Sequence, residues 1–129
     1  MNVLKIISLT LLISLTAQGF GAAGGGAAAG VAGAIPHLVS LLESDNARVQ
    51  EHAAFSLGKL ARDNQDNQNA IREANAIPHL VSLLESDNVF VQDCAANALG
   101  ELAQDNQDNQ NAIRVAGAIP HLVNLLESD

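Results

Sequence analysis

The residues that could do chemistry here are three recurring histidines, one cysteine and two polar runs. His37, His79 and His121 recur at intervals of 42 residues. Zinc draws ligand nitrogens to about 2.0–2.1 Å, whereas equivalent residues on successive packed helices stand about 8–10 Å apart or more. The spacing therefore predicts three partly exposed helix-start histidines rather than one metal site. Cys94 is the only cysteine, which excludes an intramolecular disulfide and a cysteine-rich metal centre. With His52 it could form a nucleophilic pair, but no orienting group or oxyanion donor accompanies them, so it reads as a small helix filler. The run DNQDNQN at 63–69 and 105–111 offers oxygen atoms without the spaced aspartates, central glycine and closing glutamate of a calcium loop. It reads as a solvated turn between units. Gly24, Gly25 and Gly26 are followed by no Lys-Ser/Thr, so no phosphate loop is formed. No catalytic residue, metal site or cofactor is expected, and the chain reads as non-enzymatic.

What positions these residues is a repeat. AIPHLVSLLESD occupies 34–45 and 76–87, and returns at 118–129 with Asn124 in place of serine. A 42-residue period means stacked units, each too small to bury its own apolar face. With 129 residues, the chain suffices for one domain. Its apolar content is 48% but its aromatic content only 2%, which suits helices packed closely through Leu, Ile, Val and Ala. The formal charge of −8 argues against a nucleic-acid partner, which needs clustered Lys and Arg. It fits neutral or basic partners instead.

Each unit reads as three helices. In the shortest, Asp66 is placed to cap, and Ala70, Ile71 and Ala74 give an apolar stripe. Gly33, Asn75 and Gly117 are expected to end such helices by turning the chain through positive φ. The repeated block follows, with Pro36, Pro78 and Pro120 in its first turn and with Leu38, Val39, Leu41 and Leu42 around most of its circumference. Asp45 or Asn46 then caps a long helix over about 47–62, repeated over 89–104. Val49, Ala53, Ala54, Leu57, Leu60 and Ala61, and their counterparts Val91, Ala95, Ala96, Leu99, Leu102 and Ala103, form its core face.

The ends depart from this pattern. Residues 1–21 combine Lys5, an apolar run over 6–15 and the small residues Ala17 and Gly19, as a secretory signal peptide does. The run is shorter than the roughly 20 apolar residues of a spanning helix, so no membrane span is expected in the mature chain. This predicts a secretory or extracellular location, with a cytoplasmic or nuclear one as the alternative. Residues 22–32 read as a Gly/Ala-rich linker too rich in glycine for a stable helix. At the other end Ile119, Leu122, Val123, Leu125 and Leu126 lack the long helix that would cover them. Marginal stability or self-association through this uncapped C-terminal face is expected.

The segments GAIPHLVSLLESDNARVQEHAAFSLGKLA at 33–61 and NAIPHLVSLLESDNVFVQDCAANALGELA at 75–103, with NQNAIREA between them, resemble the armadillo repeat. The resemblance covers 33–129, as units 33–65, 66–107 and 108–129. HEAT repeats are the second choice, because they are usually two-helix units. The resemblance implies an all-α fold, a right-handed α-solenoid of about two full repeat equivalents, incomplete at both ends. It also implies that the long helices line a concave groove for a peptide or protein. In importin-α-like armadillo proteins the long helix carries a Trp and, four residues on, an Asn that binds the peptide backbone. Phe55 and Lys59, then Asn97 and Glu101, hold those positions here, which counts against nuclear-import function.

The two copies 33–74 and 75–116 agree at 32 of 42 positions, so their differences can be read directly. Eight fall in the long helix, and five of these lie three or four residues apart, on one helical face. That face carries Arg48, His52, Phe55, Lys59 and Arg62 in the first copy, and Phe90, Cys94, Asn97, Glu101 and Gln104 in the second. Free drift of a solvated face would give this pattern, and so would a partner surface. With the resemblance, these ten are the expected partner-binding residues, a basic, Phe-bearing strip beside an acidic-polar one. The expected function is protein interaction. The alternatives are an importin-α-like transport adaptor and a fragment of a longer solenoid with no partner of its own.

Overall fold

The computed structural model describes the backbone of residues 25–127 and the side chains of 33–127. The signal-like segment 1–21 and the start of the linker lie outside the described residues. Seven helices follow in order: α1 Gly25–Leu41, α2 Ala47–Ala61, α3 Gln65–Glu73, α4 Ala76–Leu83, α5 Val89–Ala103, α6 Gln107–Val115 and α7 Ala118–Glu127. No strand occurs among the described residues. The long helices α2 and α5 pack side by side, and α1 and α4 pack against them. The short helices α3 and α6 also touch each other and bridge the block helices. This is an α-solenoid in which each unit leans on the next.

Local chemistry explains the boundaries. Asn46 and Asn88 cap the long helices. The Asn46 side-chain oxygen accepts from the N–H groups of Arg48 at 2.9 Å and Val49 at 3.4 Å, a contribution of about 1 kcal/mol per cap. Ser44 Oγ accepts from the Asn46 N–H, and Gln50 Nε2 donates to the Ser44 carbonyl at 2.7 Å. The same three partners recur at Ser86, Asn88 and Gln92, so the unvarying Ser-Asp-Asn and Gln serve one cap. For the short helix the cap is Asn64, whose side chain accepts from the Asn67 N–H at 2.9 Å. Asp66, expected as that cap, lies inside the first turn, where a carboxylate suits the positive end of the helix dipole.

Asn75, at φ 69°, and Gly117, at φ 83°, make the left-handed turns expected of them. Gly33 does not. The backbone is helical from Gly25 straight through Gly33 and Pro36 to Leu41, so the expected linker is helix from residue 25 onward. The Ala-rich stretch Ala27–Ala29 supplies the propensity that glycine lacks. Pro36 has no N–H to donate one turn back, and it stands inside this helix rather than in its first turn.

The core is aliphatic. Ile35, Leu38, Leu57, Leu60, Ile71, Leu80 and Leu102 are its largest fully buried side chains, with Val49 and Val91 beside them. All six core-face residues of α2 are buried, whereas Ala96 and Ala103 of α5 are half-buried. The helix α2 packs against α5 of the next unit, whereas Ala96 and Ala103 lie at the edge of the core, packed against it but partly exposed. In α7, Ile119 is 52%, Val123 46% and Leu126 86% exposed, while Leu122 and Leu125 still touch the core.

Candidate functional site

The face that differs between copies lies along α2 and α5. How closely these helices approach is set by Gly58, where an added Cβ would stand 3.3 Å from the Ala98 Cα. The repeat-equivalent Gly100 has nothing within 4 Å. None of the ten expected residues is buried. Arg48, Phe55, Lys59, Arg62, Phe90, Asn97 and Gln104 are exposed, and His52, Cys94 and Glu101 are half-buried. The helical spacing therefore brings all ten to one accessible side of two adjacent helices. Of the three other differing positions in the long helix, one is in the core: Ser56 and Ala98 are both buried. Change between the copies therefore reaches the core side as well. A hydroxyl is tolerated because Ser56 Oγ donates to the His52 carbonyl at 2.8 Å.

The two strips are electrically joined. Arg62 Nε lies 3.5 Å from Glu101 Oε1, and the Glu101 side chain is only 15% exposed. Lys59 Nζ sits 5.6 Å from the centre of the Phe55 ring, a cation–π contact worth about 0.5–1 kcal/mol at an exposed site. Burial, and then the carboxylates of Glu51 and Asp93, push the Cys94 thiol above its ordinary 9.0. Reactive thiols need the opposite shift, and no hydrogen bond joins Cys94 to His52 among the described residues.

The recurring histidines have a different task. His79 Nε2 lies 3.8 Å from Glu43 Oε1, and His121 Nε2 lies 3.3 Å from Glu85 Oε1. Each links a unit to its predecessor, while His37 is exposed. No group of three metal-ligating side chains occurs among the described residues.

The DNQDNQN runs are only in part the solvated turns expected of them: most of their residues are exposed, but three are buried. Gln68, Asn106 and Asn109 are 3%, 3% and 0% exposed and form a hydrogen-bonded ladder between units. Gln68 Nε2 donates to the carbonyls of Ala61 at 3.0 Å and Glu101 at 3.2 Å. Asn106 Nδ2 donates to Gln68 Oε1 and Asn69 Oδ1, both at 3.0 Å. Asn109 Nδ2 reaches the Leu102 carbonyl at 2.8 Å and the Gln68 carbonyl at 3.2 Å, while its oxygen accepts from Arg72 at 2.8 Å. Invariance does not single these residues out, since the exposed members of both runs are identical as well. An open hollow lined by Asp63, Asn64, Gln65, Gln68, Gln104 and Asp105 lies beside this ladder.

Fold and geometry thus define a repeat solenoid with one variable, accessible face. Residues 35–129 match the family model described as HEAT repeats, and the chain belongs to that family. Among solved structures it resembles two engineered proteins, Northeast Structural Genomics Consortium targets OR329 and OR366. The first shares 36% identity at a TM-score of 0.75, over 79% of this chain and 42% of that one. The second shares 36% identity at a TM-score of 0.76, over 82% of this chain and 45% of that one. The chain therefore spans less than half the length of either. Among curated proteins none matches. Among the described residues no helix is long and apolar enough to cross a membrane.

Proposed function

We propose that this protein is a non-enzymatic interaction module that binds a peptide or protein surface along α2 and α5. The observation that carries the proposal is the confinement of change: eight of the ten differences between two near-identical copies fall in the long helix, five of them on one accessible face. HEAT-repeat proteins are typically interaction scaffolds, and the exposed Phe55 and Phe90, 43% and 67% accessible, offer the apolar contacts that such surfaces use. The short helices α3 and α6 favour an armadillo-like, three-helix form of the repeat. Peptides selected against the full chain from a displayed library test the reading. K59E and F90A should weaken the selected peptides, while E43Q and E85Q, on the side that meets His79 and His121, should not. Equal binding by all four variants contradicts it.

The proposal extends to residues 1–21 as a secretory signal. A C-terminally tagged full-length chain should be exported with loss of residues 1–19; retention of the intact chain in the cytoplasm or nucleus contradicts export.

A further inference from the structure

The boundary between successive units is seen where α2 and α3 meet α5 and α6. Its near half is Gly58, which leaves room for the Ala98 backbone, with Gln68 and Arg72. Gln68 Nε2 reaches the Glu101 carbonyl at 3.2 Å, and Arg72 Nη1 donates to Asn109 Oδ1 at 2.8 Å. All three residues recur 42 positions on, as Gly100, Gln110 and Arg114. There they have no next unit to meet. A Cβ added at Gly100 would find nothing within 4 Å. Gln110 and Arg114 are exposed, where Gln68 is buried and Arg72 half-buried. Gln110 is nevertheless already posed: its Nε2 donates to the Ala103 carbonyl at 2.9 Å, as Gln68 Nε2 does to Ala61 at 3.0 Å.

The far half of the boundary recurs as well. Ala98, Asn106 and Asn109 have Ser56, Asn64 and Asn67 as their counterparts one unit earlier. Asn64 is exposed and Asn67 half-buried, whereas Asn106 and Asn109 are buried. One end of the stack thus carries a spare near half, and the other a spare far half. Ser56 is buried, however, and α1 packs on α2, so α1 must give way before the two ends can meet. A replacement is present in α7. Residues 115–127 repeat 31–43 with one change, Asn124 for Ser40, and Ser40 is exposed. The apolar face that α1 buries through Ile35 and Leu42 is therefore duplicated in Ile119 and Leu126, which are 52% and 86% exposed. Among the described residues three block helices share two long ones. Exchanging α1 for the α7 of another copy leaves that shortage unchanged, while a new unit boundary is gained.

We infer that the α7 end of the stack docks a second copy of this chain head to tail. In this assembly α7 of one copy takes the seat of α1 on α2 of the next, and α5 and α6 pack on that copy's α2 and α3. Glu127 then stands beside His79 of the next copy, where Glu43 stands in the single chain. The contact joins unlike ends, so each added copy leaves the same two ends open and the stack can lengthen. It does not depend on what binds the variable face.

Sedimentation velocity of the full chain should show an average mass that rises with concentration and passes that of a dimer. G100L, placed where an added Cβ meets nothing in the single chain, should stay monomeric with unchanged helicity by circular dichroism. Cysteine cross-linking reads the polarity. A Cβ added at Gly58 stands 3.6 Å from the Ala98 Cβ, inside the disulfide range of about 3.5–4.5 Å, so the equivalent pair between copies is S56C with G100C. In a C94A background, S56C and G100C chains mixed and oxidised should give crossed dimers, and a chain carrying both should give a ladder of multimers. Should S56C fail to fold, the comparison of G100L with the unaltered chain decides alone. A chain that stays monomeric at every concentration overturns the inference. So does undiminished association of G100L, or G100C that cross-links only to itself, which is the mark of a head-to-head dimer.

Discussion

Gly58 and Ala98 meet where α2 and α5 cross, and no side chain larger than hydrogen fits at residue 58 without displacing the backbone of α5. The contact holds the two variable strips side by side. Gly100, its counterpart one unit on, faces open space. The same substitution should therefore have opposite effects at the two positions. G100A should stabilise the chain by about 0.5–1 kcal/mol, the ordinary gain of alanine over glycine within a helix. In G58A that gain is outweighed by overpacking, which costs about 1–3 kcal/mol. Urea denaturation of both variants checks the sign.

The polar ladder should be asymmetric in the same way. N109A removes a fully buried side chain and leaves the Leu102 and Gln68 carbonyls without their Asn109 donor. Each buried polar group left unpaired costs about 1–3 kcal/mol. N67A, at the same position one unit earlier, removes the bond from Asn67 Nδ2 to the Leu60 carbonyl at 2.8 Å, but that side chain is half-exposed and water can substitute. N109A should therefore lower the urea midpoint distinctly more than N67A.

These two cases show how far the sequence could be read. The long helices, their asparagine caps and their aliphatic stripe follow from periodicity and cap chemistry, and they are found within a residue of the expected ends. The ten residues of the variable face were legible because duplication marks which positions can change. Burial of Gln68, Asn106 and Asn109 was not legible, since polarity argues for solvent until the neighbouring unit is in place. The same holds for Ser56 and Ala98, where change occurred inside the packing. At Gly33 a local turn preference lost to the continuity of an alanine-rich helix.

Arg62 and Glu101 should show a modest coupling. A double-mutant cycle with R62Q and E101Q should give about 0.2–1 kcal/mol, as for other ion pairs with one solvent-exposed partner. It should shrink as salt is raised. The charge-swapped R62E/E101R chain should recover part of what either single reversal loses, measured by denaturant midpoint.

Cys94 should be a slow thiol. Its pKa is raised by burial and by the carboxylates of Glu51 and Asp93, so at any pH near 8 it carries less thiolate than a free cysteine. Iodoacetamide should label the folded chain more slowly than the urea-unfolded chain. The folded state holds this proton more tightly than the unfolded state does, so its effect on stability is absent well below the unfolded pKa. As pH rises past the ordinary 9.0, stability should fall. C94A should remove that part of the decline, as read by denaturant midpoints across alkaline pH.

A partner should dock on the variable side of α2 and α5. Chemical-shift mapping of the isotopically labelled full chain, titrated with the tightest library-selected peptide, tests it most directly. Perturbed resonances should cluster at Arg48, Phe55, Lys59, Arg62, Phe90, Asn97, Glu101 and Gln104. Perturbations centred instead on α7, or on the Glu43–His79 and Glu85–His121 side of the stack, would contradict it.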